Sequence, residues 1–149
     1  MDSALHKWIK IAVFSILGLV PRASEAQSFC EAVQRYTQET TPQNFEVSDI
    51  AGECRTFREH TGAKGVMCNQ PFPYRSEKAV NAFAALNDSI QTCLGSSAGP
   101  TQDQAVNHPD SYVLYQYVVE NMKVSASLKD KAALQQTIVF LRITKDLHQ

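Results

Sequence analysis

The apolar residues of this chain change period along its length, and that change limits the fold more than any other feature. Between residues 77 and 94 they recur at intervals of three and four. Ala79, Val80, Phe83, Leu86, Ile90, Cys93 and Leu94 form one stripe, with Lys78, Asn81, Asn87, Asp88 and Gln91 largely off it. This is the spacing of an amphipathic helix. Ser76 can cap its start, Glu77 suits the positive end of the helix dipole, and Gly95 can stop it. From residue 112 the period is two. In 123–129, Val124, Ala126 and Leu128 alternate with Lys123, Ser125, Ser127 and Lys129, a strand with one buried and one wet face. YVLYQYVV (112–119) and TIVFLRI (137–143) read as strands on either side of it, the first joined to it near Glu120-Asn121. The connector DKAALQQ can make one helical turn capped by Asp130.

An earlier helix is predicted over 28–39, with Phe29, Ala32, Val33 and Tyr36 at helical spacing and Ser28 as its cap. Thr40-Thr41-Pro42 ends it, and Phe45 and Val47 alternate as in a short strand. Residues 54–58 and 64–68 flank His60-Thr61-Gly62-Ala63, where Gly62 can take the positive φ of a turn, so they read as a hairpin. Phe72-Pro73-Tyr74 forms an extended lead-in to the second helix. The order is helix, hairpin, helix, three-stranded meander. It implies an α+β fold in which two helices pack on an antiparallel sheet of about five strands. There is no internal repeat and no βαβα alternation, and the glycines match neither a P-loop nor a dinucleotide fingerprint.

The N-terminus bears on the compartment. Lys7 and Lys10 precede the uncharged run IAVFSILGLV, then Pro21 and the small residues of Ala23-Ser24-Glu25-Ala26. That is the order of a secretory signal, with cleavage expected between Ala26 and Gln27. Ten apolar residues are too few for a membrane span, which needs about 20. Phe29 before Cys30 does not suit a lipid-attachment site. The expected division is therefore a signal peptide over 1–26 and one exported domain over 27–149, secreted or periplasmic. The chain carries 14 Lys+Arg and 15 Asp+Glu; without Lys7, Lys10, Arg22, Asp2 and Glu25 the balance is 11 to 13, a net charge near −2. No basic cluster remains, so neither nucleic acid nor an anionic membrane surface is an expected partner.

All four cysteines, Cys30, Cys54, Cys68 and Cys93, fall in the mature part, which for an exported chain reads as a disulfide framework. Spacing alone permits three pairings. A hairpin centred on residue 61 sets Cys54 opposite Cys68, with facing Cβ atoms about 4.5–5.5 Å apart, near disulfide range. Cys30 and Cys93 remain, one in each predicted helix. Closing these loops is worth roughly 3 and 4 kcal/mol as upper figures. No two cysteines stand closer than 14 positions, so neither a zinc motif nor a Cys-x-x-Cys redox motif is present.

Little points to catalysis. NHPDS gathers Asn107, His108, Asp110 and Ser111, but the spacing is too tight for a serine-hydrolase triad and Ser111 lacks a nucleophile elbow. Those residue types build a turn into the strand at 112. Nothing in the sequence brings His60 near His108 and Asp110 for a metal site, and His148 is penultimate. No catalytic residue, metal or cofactor is expected, although converging carboxylates of a small hydrolase are a remote third reading.

Binding is better motivated. In YVLYQYVV both faces are apolar: Val113, Tyr115, Tyr117 and Val119 on one, Tyr112, Leu114, Gln116 and Val118 on the other. Tyrosine suits interfaces, being apolar in its ring and polar at its tip, so Tyr115 and Tyr117 are the candidate binding residues on an exposed sheet face. The expected function is a non-catalytic protein-interaction domain, such as an inhibitor, immunity protein or envelope accessory factor. The alternative is a carrier that holds an apolar ligand between sheet and helix.

Overall fold

The computed structural model describes residues 25–38, 52–95, 101–102 and 110–145. The predicted signal segment before residue 25, the alternation at Phe45 and Val47, His108 and His148 lie outside the described residues. The elements run α1 (Glu25–Gln38), β1 (Glu53–Arg58), β2 (Lys64–Pro73), α2 (Glu77–Leu94), β3 (Thr101–Gln102), β4 (Tyr112–Val119), β5 (Met122–Lys131), a 3-10 turn (Ala132–Leu134) and β6 (Gln136–Lys145). Among the described residues two helices pack on a six-stranded antiparallel sheet in the order β1-β2-β6-β5-β4-β3. The fold is therefore α+β, as its periods predict. The sixth strand is β3, two residues between α2 and β4 that the sequence pattern does not mark as a strand, paired to β4 through Thr101↔Gln116 and Gln102↔Tyr115. Its composition carries no strand pattern, and only the edge of β4 gives it order.

Local chemistry accounts for most boundaries. In α2, Ser76 Oγ accepts from the Ala79 amide at 3.3 Å, and Gly95, at φ +80°, donates its amide to Gln91 at 2.9 Å. Helix α1 begins at Glu25, so Ser28 lies inside it rather than at its cap. At the far end of α1, Lys145 Nζ donates to the Thr37 carbonyl at 2.6 Å, a cation at the negative helix pole. Strand β2 runs through Pro71 and Pro73, beyond the predicted hairpin arm. Alternation of the ladder from the Glu59–Ala63 turn bond aims both proline nitrogens toward the side where β1 has ended, so no ladder bond is lost. Asp130 does not cap the 3-10 turn; it belongs to β5, and the Asp110 carboxylate accepts the Ala132 amide instead, at 2.9 Å.

The core lies between the helices and one face of the sheet. Phe29, Ala32, Val33 and Tyr36 of α1 and Ala79, Phe83, Leu86 and Ile90 of α2 meet Val66, Cys68, Tyr117, Val124, Ala126, Val139, Leu141 and Ile143. Val80, predicted in the α2 stripe, is 52% exposed, because the buried arc runs along 79, 83, 86 and 90 and leaves it outside. Two buried hydroxyls are satisfied across layers: Tyr36 donates to the Lys64 carbonyl and Tyr117 to Asn87 Oδ1, each at 2.9 Å.

Candidate functional site: the uncovered face of the sheet

Strand register assigns every sheet residue to one of two faces. The helices cover the face that holds Val66, Tyr117, Val124 and Leu141. The opposite face holds Phe57 of β1, Met67 of β2, Phe140 and Arg142 of β6, Ser125, Ser127 and Lys129 of β5, and Tyr112, Leu114, Gln116 and Val118 of β4. No described helix lies over it. Its centre is hollowed into a groove of about 330 Å³, with Gln116, Ser125 and Ser127 among half-buried Leu114 and Phe140 and exposed Met67. A wider hollow of about 600 Å³ adjoins it at the turn end of the sheet, between Glu59, Val118 and Lys123.

The charged groups of this face are positioned by aromatic rings. The Lys129 ammonium stands 5.5 Å from the Phe140 ring centroid and the Arg142 guanidinium 4.6 Å from that of Phe57. Arg142 is also paired with Glu59. Gly65 makes the Phe57 position possible: a Cβ there would fall 2.4 Å from the ring and 2.8 Å from the Ile143 carbonyl oxygen. The sequence reads Gly65 only as a strand residue, and its role depends on that non-local contact.

The candidate binding tyrosines are on the other side. Tyr117 is fully buried, and Tyr115 packs against the core with its ring centroid 5.7 Å from that of Phe83. Neither lies on an exposed face, which corrects the expectation. A signal for this exists in the sequence. With a turn at Glu120-Asn121, Tyr117 pairs with Val124 and Tyr115 with Ala126, the alternating apolar set of β5. The open face of β4 is therefore Tyr112, Leu114, Gln116 and Val118, and Val118 is 66% exposed.

Cys54 and Cys68 are joined by a disulfide between directly opposed residues of β1 and β2. The second predicted bridge is absent. Cys30 and Cys93 are free thiols that meet one another where α1 packs on α2. Burial, then the hydrogen bond and charge of Cys30, push the Cys93 thiol up to about 12.

The NHPDS residues that are described have structural partners. Asp110 binds the Lys131 ammonium at 3.3 Å and the Ala132 amide. Ser111 Oγ donates to Asp130 Oδ2 at 2.8 Å. Asp130 also accepts from Thr137 Oγ1 at 2.6 Å and Arg75 Nε at 3.0 Å. Burial raises the Asp130 carboxyl, but these hydrogen bonds and the Arg75 charge outweigh it and hold the group below its ordinary value. The cluster also holds Arg75 in a left-handed conformation, φ +51°, with its amide donating to Thr137 Oγ1 at 2.7 Å. It locks the α2 lead-in to the β5–β6 hairpin and uses the Ser111 hydroxyl as a structural donor to Asp130. His60 sits in the β1–β2 turn, and Asp110 is at the opposite end of strands ten residues long, about 33 Å away. A site uniting them is therefore not formed. Among the described residues no three His, Cys, Asp or Glu side chains cluster as metal ligands, and no helix is long and apolar enough to cross a membrane.

No protein-family model matches the chain, and no curated protein matches it. Among solved structures it is similar to CalU16 from Micromonospora echinospora, at 13% identity over 62% of this chain and 68% of that one, with a TM-score of 0.28. A likeness that distant carries no argument about function.

Proposed function

We propose that this chain is an exported, non-catalytic domain that binds another protein through the uncovered face of its sheet. Its signal-like N-terminus and its cross-strand disulfide support export. The observation that carries the binding role is the makeup of the open face: Leu114, Phe140 and Met67 line a groove together with Gln116, Ser125, Ser127 and Lys129, and Val118 stands 66% exposed beside Lys123. Apolar side chains interspersed with hydrogen-bonding groups and cations suit a non-obligate protein interface, which is about as apolar as the rest of a protein surface. A sheet that serves only as the wet side of a two-layer fold would alternate fully to polar residues there, as Lys123, Ser125 and Ser127 do in β5.

The groove also favours a second reading, a small carrier, but with its ligand on the open face. The space between sheet and helices, where a ligand was expected, holds the core side chains. One experiment separates the two. The tagged chain is purified under native conditions from an exporting host, beside the Leu114→Glu/Phe140→Glu variant and a Val80→Glu control. The expected result is a stoichiometric protein partner that is kept by the control and lost by the double variant. Retention of that partner by the double variant overturns the proposal. A copurifying small molecule lost in the same way establishes the carrier instead.

A further inference from the structure

The uncovered face has the opposite sign of charge to the mature chain. Register places Arg55, Lys123, Lys129, Lys131 and Arg142 on it, against Glu53 alone. Glu53 matches Arg55, Glu59 matches Arg142 and Asp110 matches Lys131. Lys123 and Lys129 meet no carboxylate at ion-pair distance among the described residues. Of these two only Lys129 lines the central groove, where Phe140 beneath it holds the ammonium beside an apolar surface. Ser125, Ser127 and the Gln116 amide line the same groove, and they can hydrogen-bond to peptide groups.

Resting on the protein-binding reading of this face, we propose that the groove takes a segment of a partner protein that presents a carboxylate next to an apolar side chain. The carboxylate pairs with Lys129, and the apolar side chain packs between Phe140 and Leu114. Two features favour a protein segment over a free fatty acid. At about 330 Å³ the groove is at the small end of ligand sites, and the hollow that adjoins it is lined in part by Glu59, Glu120, Asn121 and Lys123, charged and polar groups unsuited to a long acyl chain. The groove's own lining of Ser125, Ser127 and Gln116 is also polar where an acyl chain needs apolar contact.

The test is an amide-resolved NMR titration of the mature chain with three probes: N-acetyl-phenylalanine, its uncharged amide, and decanoate. The acid is expected to shift the amides of Leu114, Ser125, Ser127 and Phe140 and to bind at least about fivefold more tightly than the amide. Lys129→Gln should abolish that preference with the spectrum otherwise intact, whereas Lys123→Gln should keep it. Equal binding of acid and amide, or no groove shifts up to about 50 mM, overturns the inference. So does decanoate binding more than about tenfold tighter than the acid, which assigns the groove to a free amphiphile. If the probes fail while the Leu114→Glu/Phe140→Glu variant still loses its protein partner, only the carboxylate assignment falls. If that variant keeps its partner, the protein-binding reading falls with it.

Discussion

One strand separates the two sides of this molecule. Along β4, Tyr117 is entirely buried and its neighbour Val118 is 66% exposed, although both faces of the strand are apolar in sequence. On the covered side Tyr117 has its ring in the core and its hydroxyl on Asn87. On the open side Leu114, Phe140 and Met67 border a groove that also holds Ser125, Ser127 and a lysine. Apolar character alone therefore does not mark core. A face becomes core when helices close it, and the same residue types across the sheet stay available for a partner.

The largest predicted effect sets these faces against each other. Tyr117→Ala should cost about 3–5 kcal/mol, since it leaves a cavity and an unpaired Asn87 carbonyl. Leu114→Ala, on the open face, should cost under about 1.5 kcal/mol. Chemical denaturation measures both, and similar costs would break the distinction between the faces. Next in size, Cys54→Ser and Cys68→Ser should each lower stability by up to about 3 kcal/mol, less whatever the strand pairing already restrains. Thermal melts with and without reductant check this, and an unmoved wild-type melt would remove the staple.

Asp130→Asn should cost about 2 kcal/mol, because it weakens three hydrogen bonds at the margin of the core. The pH dependence has a definite sign. The folded carboxyl titrates below its ordinary value, so its contribution is complete above about pH 4 and is lost as pH falls through the folded value. Wild type should therefore lose stability on acidification below pH about 4 more steeply than Asp130→Asn. Parallel curves would show that the cluster does not hold the carboxylate. The smallest effect is chemical. Cys93, with its thiol pushed up to about 12 on the covered side, should alkylate at pH 8 more than about tenfold slower than free cysteine. Reaction at the free rate would mean the α1–α2 seam is open.

The sequence carries the fold well where the signal is local. The α2 stripe with Ser76 and Gly95, the extent of β4, and the Cys54–Cys68 register all follow from neighbours a few positions apart. It carries less where an element depends on distant partners. Strand β3 exists only against β4, Gly65 matters only because Phe57 lies on it, and the Arg75–Asp130 lock joins residues 55 apart. The two faces of β4 fall between these cases. Alternation separates them but does not say which one the helices cover; pairing Tyr117 with Val124 does. The open face was legible as apolar, and its charge and groove emerged only once four strands were laid side by side.

Whether a partner docks on the open face can be read by scanning β4 with a photo-crosslinking residue, one position at a time from 112 to 119, in cells that export the protein. Binding through the open face should give a period of two: adducts to one partner from 112, 114, 116 and 118, and none from 113, 115, 117 and 119. Adducts from the odd positions, or no alternation at all, would contradict it.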